Sequence, residues 1–266
     1  MAQSTGSAFR DALSARLRFY RDLGITEFYR RPVDTADIPI ETCAPGPSVG
    51  TWDGNQEKQG APGPFVGTGD RNATIESKIA ALRIIRDDIG DCTRCALHKG
   101  RNKLVFADGS PMARLMFIGE GPGADEDAQG LPFVGRAGQL LNNMISAMGL
   151  KREEVYIANV VKCRPPGNRT PEPDEANTCS PFLFRQIDVV KPEVIVALGA
   201  TAATYLLGAR QPLAGLRGRV HNVRGAKLIV TYHPAYLLRD PRQKKEAWAD
   251  LQIAMRELGL KALGRN

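Results

Sequence analysis

Glu120, Asn159 and His233 carry side chains able to hold a planar polar ligand or place a proton, and each stands at or near the end of an apolar, strand-like run. Those runs are RLMFIG at 114–119, EVYIANVVK at 154–162 and the stretch 227–231. In an open parallel sheet the carboxyl ends of the strands converge on one crevice, so residues more than a hundred positions apart can meet there. Taken singly, each has an ordinary explanation: a glutamate capping a loop, an asparagine completing a strand end, a histidine packed on Tyr232. Taken together, they describe a site.

The cysteines make a second constellation. Cys92 and Cys95 form CTRC, Cys163 and Cys179 lie far downstream, and Cys43 stands alone in a polar, proline-rich stretch. Without a secretion signal, five cysteines argue for metal or redox use rather than a disulfide framework. A CxxC with a distant second pair suits a four-thiolate site, and spacing alone leaves zinc and an iron-sulfur cluster both open.

Elements that could position these groups alternate along the chain. A helix is expected over 74–89, with Ile75, Ile79, Leu82 and Ile85 on one face. Helices are also expected over 138–148, over 174–190 with a break near Pro181, from 200 through Leu207, and over 243–258. Strands are expected at 114–119, 154–162, 193–199, 219–223 and 227–231. Near-continuous Val, Ile and Leu in these strands suits a parallel sheet covered on both faces. Between the first strand and its helix, residues 119–138 (GEGPGADEDAQGLPFVGRAG) hold six glycines, two prolines, four carboxylates and Phe133, which reads as an exposed aromatic in a ligand loop.

A chain of 266 residues with 42% apolar content can bury a conventional core. Thirty-six basic against 29 acidic residues, a net charge of +7, favours polyanionic partners without naming one. Residues 1–73 read as an N-terminal extension, with one short amphipathic helix over 7–23 and a Pro/Gly-rich, disordered linker; residues 74–266 read as the folded domain. The start lacks the apolar core of a signal peptide, and 194–209 is too short to span a bilayer, so a cytoplasmic protein with no membrane association is expected.

Three segments carry a family resemblance: the 119–138 loop, NVVKCRPPGNR at 159–169 and HPAYLLR at 233–239. They are similar to the signature segments of family four uracil-DNA glycosylases, the iron-sulfur branch of that superfamily, over about 92–260. The resemblance implies a three-layer α/β/α fold around a four-stranded parallel sheet, and base excision repair of uracil-containing DNA, single- or double-stranded, leaving an abasic site. It implies one 4Fe-4S cluster on Cys92, Cys95, Cys163 and Cys179, with Cys43 a free thiol. His233 matches the catalytic histidine, Glu120 the essential loop glutamate, Asn159 the uracil-reading amide and Phe133 the wall on which uracil stacks. Gly121 stands where family one enzymes place a water-positioning aspartate, and Glu126 is assigned to the space beside uracil C5. HPAYLLR is expected as a loop, from which Leu237 or Leu238 would wedge into DNA and Arg239 would meet phosphate, and Gly121 and Gly123 would offer backbone amides to phosphate. A monomer, with a protein partner for the extension, completes the expectation. The rivals are a non-catalytic damage-binding member and a covalently trapping one, which needs a histidine in an extra basic loop; GLRGRVHNVRGAK at 215–227, with His221, has no such insertion.

Overall fold

The computed structural model describes residues 74–260, so the 7–23 helix, the linker, Cys43 and the rest of the extension lie outside the described residues. Six strands form one sheet: β1 (Asp108–Gly109), β2 (Leu115–Gly119), β3 (Tyr156–Asn159), β4 (Val194–Leu198), β5 (Val220–Val223) and β6 (Ala226–Thr231), in the order β1-β3-β2-β4-β6-β5. The four central strands run parallel, as expected. Short antiparallel strands are added at both edges. The β5–β6 hairpin turns through Arg224 and Gly225, both at positive φ, the geometry a tight two-residue hairpin requires.

Every residue of β2 and β4 is buried, so their side chains serve two cores alternately. Met116, Ile118, Ile195 and Ala197 pack beneath α4 (Pro173–Val190) and α5 (Ala200–Leu207). Leu115, Phe117, Val194 and Val196 face α3 (Arg136–Ala147) and α8 (Lys244–Glu257). That is the three-layer arrangement.

Three local expectations are corrected. Helix α4 runs unbroken through Pro181; the ring sits on the exposed side, while Leu183, Gln186, Ile187 and Val190 anchor the opposite face. Helix α1 (Ile75–Ile89) is capped by Thr74, but Ile75 and Ile79 are exposed. Its inner face is instead Lys78, Ile85 and Ile89, because the Lys78 ammonium reaches the Val190 carbonyl at the end of α4, 2.9 Å away. Finally, the 119–138 loop contains a short helix, α2 (Ala124–Gln129), and a four-residue helix, α6 (Leu213–Leu216), precedes β5. Among the described residues no helix is long and apolar enough to cross a membrane.

Candidate active site

A glycine stands at or just past the end of each inner strand of the parallel sheet, and the ends of the two flanking strands supply the polar groups. Gly119 closes β2 and is in register with Asn159 at the end of β3. A Cβ on Gly119 would lie 2.5 Å from Asn159 Oδ1 and 2.6 Å from Phe133 Cζ, so amide and ring meet over that glycine. Gly199, just past β4, has φ +93° and would put a Cβ 3.2 Å from that of His233, just past β6. Phe133 and His233 rings lie 5.6 Å apart, centroid to centroid. Asn159, Phe133 and His233 therefore share one end of the sheet.

Asn159 is 1% exposed, yet neither Oδ1 nor Nδ2 has a hydrogen-bond partner among the described residues. Leaving a buried donor and acceptor unpaired costs about 1–3 kcal/mol each unless a ligand serves them. His233 accepts a hydrogen bond at Nδ1 from the Ala235 amide, 3.1 Å away, as N-cap of the short helix α7 (Pro234–Arg239). That bond puts the proton of the neutral ring on Nε2. Burial, and then the charge of Arg239, pull the imidazole down to about 4, so it is a neutral donor at physiological pH. Glu120 is half-buried at the mouth of the loop, and its carboxylate makes no hydrogen bond among the described residues.

Phe133 is buried, 5% exposed, not the exposed aromatic its sequence context suggests. It adopts φ +52°, a left-handed conformation unusual for an aromatic residue. Arg152 holds that turn: its guanidinium donates to the carbonyls of Pro132 at 2.6 Å and Phe133 at 3.1 Å, and also to Asn142 Oδ1 and Asp108 Oδ2. On the other side Gly138 is obligatory, since a Cβ there would fall 1.9 Å from the Phe133 carbonyl oxygen.

Two of the loop carboxylates, Glu126 and Asp127, hold the loop's shape. Glu126, assigned from sequence to the space beside uracil C5, accepts from the amides of Gly123 at 3.0 Å, Val134 at 2.9 Å and Gly135 at 3.1 Å, and its charge acts on His233. Both its oxygens are committed to folding the loop back on itself. The Gly123 amide is thereby spent and is not free for phosphate. Asp127 is buried and takes the Asn102 amide and side chain. At Gly121 a Cβ would approach Val161 Cγ2 to 2.7 Å, so packing beneath the loop also asks for glycine.

HPAYLLR forms helix α7 rather than a loop, and its adjacent leucines consequently diverge. Leu237 is 1% exposed and belongs to the core, which corrects its assignment to DNA; Leu238, 36% exposed, faces out. Arg239 is exposed in the last turn, and Arg242 is paired with Asp240. A buried network fixes the segment leading to His233. Asp250 accepts from Arg217 Nε at 2.7 Å and Thr231 Oγ1 at 2.8 Å, and Arg217 lies 4.0 Å over the Tyr232 ring, which stacks on Tyr236.

The four downstream cysteines are unbridged and line a single cavity with Ile89, Leu97, Leu104, Val161 and Phe182. Donors reach three of the sulfurs: Arg94 to Cys92 at 3.4 Å, Arg101 to Cys163 at 3.4 Å and the Lys162 amide to Cys179 at 3.3 Å. Burial pushes the Cys95 and Cys163 thiols up, and Cys179 to about 11, so ionised sulfurs here need a cation. Among the described residues no three His, Cys, Asp or Glu side chains close on a single-ion site. Four sulfurs around one apolar cavity, with N–H donors behind them, fit a group larger than one ion.

Arg152, Lys162 and Asp250 were not singled out from sequence, because each acts through a contact made only when distant segments fold together.

Comparison with known proteins agrees with this geometry. The profile of the uracil DNA glycosylase superfamily matches residues 106–252, more than half of the chain. A type-4 uracil-DNA glycosylase of Thermotoga maritima is 47% identical over 161 residues, covering 60% of this chain and 84% of that protein. One from Archaeoglobus fulgidus is 41% identical, covering 64% of this chain and 88% of the relative. A type-5 uracil-DNA glycosylase of Pyrobaculum aerophilum is 34% identical, covering 47% and 62%. With this sheet order, this cluster of Asn159, Phe133 and His233, and these relatives, the chain belongs to the type-4 family of the uracil-DNA glycosylase superfamily.

Proposed function

We propose that this chain is a DNA-repair hydrolase that cleaves the bond between C1′ and N1 of a deoxyuridine flipped out of DNA, releasing uracil and leaving an abasic site. The observation that carries the reading is the buried Asn159 amide with both polar atoms unpaired beside Phe133 and His233. Uracil presents an acceptor at O4 and a donor at N3, which one amide satisfies; cytosine reverses the pattern and would leave both sides unpaired. Phe133 supplies the flat apolar wall.

As the bond breaks, the sugar gains cationic character and negative charge gathers on uracil O2. His233 Nε2–H is the donor for that charge, neutral and preorganised by the Ala235 amide. Glu120, whose carboxylate is otherwise uncommitted, faces the sugar side, where it stabilises the cation and orients water. The water adds to C1′, one of its protons is released, and N1 of uracil is protonated. With glycine at position 121, no carboxylate stands at the place family one enzymes use, so the reaction leans on leaving-group stabilisation.

On the DNA side, Leu238 fills the gap left by the flipped base and Arg239 meets phosphate. Leu238→Ala should slow excision from duplex more than from single strands with little change in melting temperature. Leu237→Ala should instead cost about 2–5 kcal/mol of stability, as a buried leucine does. The reverse pattern in thermal melts would restore Leu237 to the DNA face.

One 4Fe-4S cluster on Cys92, Cys95, Cys163 and Cys179 is the group the thiol cavity suits; bound, it would cross-link the segment before β1 to the loop after β3 and to α4. The test of the whole reading is incubation with a uracil-containing oligonucleotide followed by alkali, with iron and zinc measured on the same sample. Scission at uracil and iron near four per chain are expected. An intact strand would remove the enzymatic reading, and stoichiometric zinc the cluster.

A further inference from the structure

Among the described residues, Lys162 is the lysine placed between the two constellations described above, and the excision chemistry makes no use of it. It is 1% exposed. Its ammonium donates to the main-chain carbonyl of Asn159 at 2.8 Å and to Gln186 Oε1 at 2.6 Å. Gln186 is itself fixed, donating to the Phe106 carbonyl and the Tyr156 hydroxyl. The backbone of Lys162 is equally committed: its amide donates to Cys179 Sγ, its carbonyl accepts from Val105 at 2.9 Å, and the next residue is Cys163.

The need for such a residue follows from the sheet. The edge strand β1 pairs only with Tyr156 and Ile157, so the Asn159 carbonyl lies beyond the last rung on that side. On the other side the main chain stays tied to β2 and its loop through the amides of Val160 and Val161. The Asn159 side chain has no partner to hold its orientation, so its aim depends on how firmly the backbone beneath it is fixed. A buried ammonium with two close acceptors is a strong, directional way to fix it.

We infer that Lys162 is a positioning residue for Asn159, fixing the carbonyl behind the uracil-reading amide and joining that strand end to the four-cysteine site. This role rests on Asn159 reading uracil. It gives the thiol site a physical route to base recognition: Lys162 touches Cys179 through its amide and Asn159 through its ammonium. A shift of the cysteine loop is thereby a shift of the amide.

The test uses the full chain carrying Lys162→Met, which keeps the length of the side chain and removes the donor. The dissociation constant for free uracil is read by ligand-observed NMR, beside single-turnover excision, iron content and melting temperature. Loss of a charge-assisted buried hydrogen bond predicts uracil binding weakened about tenfold or more, with iron content unchanged. In an Asn159→Ala background the same substitution should add less than about twofold, because the group being positioned is already gone. Unchanged uracil binding in Lys162→Met, or an equal loss in both backgrounds, would overturn the role. If Lys162→Met fails to fold, Gln186→Leu decides the matter: it removes one of the two acceptors and should weaken uracil binding severalfold, and unchanged binding would again count against Lys162. Wild-type protein that neither binds uracil nor excises it would remove the excision reading itself; an active wild type with an unmoved variant removes only this inference.

Discussion

His233→Ala should lower the single-turnover rate of uracil excision by about 10²–10³-fold, the cost of losing one preorganised donor to a developing anion. The effect should fall on the chemical step rather than on DNA binding, since the ring packs beside Phe133 within the proposed base seat. The same geometry sets a pH dependence. The imidazole is held down to about 4, chiefly by burial and secondarily by Arg239, with Glu126 opposing. The donor is therefore neutral from alkaline pH down to mildly acid pH, and no acid limb from this residue should appear between pH 5 and 8. A limb near the ordinary histidine value would show that the ring is not packed as described. For stability the sign follows from linkage. Between the ordinary value of 6.5 and about 4, the unfolded chain takes up a proton that the folded chain does not. The contribution is complete above 6.5 and is lost as pH falls toward 4.

The second large effect lies away from the reacting atoms. Asp250→Ala should destabilise the protein by about 3 kcal/mol, toward the lower end for a broken buried pair. In a body of this size that is a fall of roughly 6–12 °C in melting temperature. Asp250 and Arg217 are 3% and 11% exposed at the side chain, and removal of the carboxylate strands the guanidinium, the Thr231 hydroxyl and the Gly218 amide together. Glu246, 3.7 Å from Arg217, and the Tyr232 ring soften the loss. Asp250→Asn keeps part of the hydrogen bonding and should cost less. Because Thr231 and Tyr232 immediately precede His233, excision should fall as well. A melting temperature unmoved by Asp250→Ala would show that this network does not support the strand end.

What sequence could and could not disclose follows from the range of each interaction. That Asn159 and His233 share one end of the sheet was legible because strand periodicity and parallel topology bring strand ends together whatever the side chains do. The four cysteines were legible by type and spacing. The hold of Glu126 on the loop was not legible, because its partners at 134 and 135 meet it only after the loop folds back through α2. Leu237 was assigned to a loop, where adjacent residues can share a surface; in a helix they stand about 100° apart, and only one can face DNA. Lys78 went inward against its charge because the carbonyl at the end of α4 was there to receive it. The Lys78 contact is made across the fold, whereas the Leu237 outcome turns on local helix geometry.

The paired glycines beneath the site bear on how far its chemistry can be redesigned. At residue 119 the volume a side chain would need already belongs to the Asn159 amide and the Phe133 ring, and at 199 the backbone conformation itself excludes ordinary residues. Point substitution therefore has no purchase on the floor of the base seat. A changed lesion preference must come from replacing the reading groups themselves, or from exchanging the 119–138 loop as a unit, with Glu126, Arg152 and Gly138 carried along to hold the new shape.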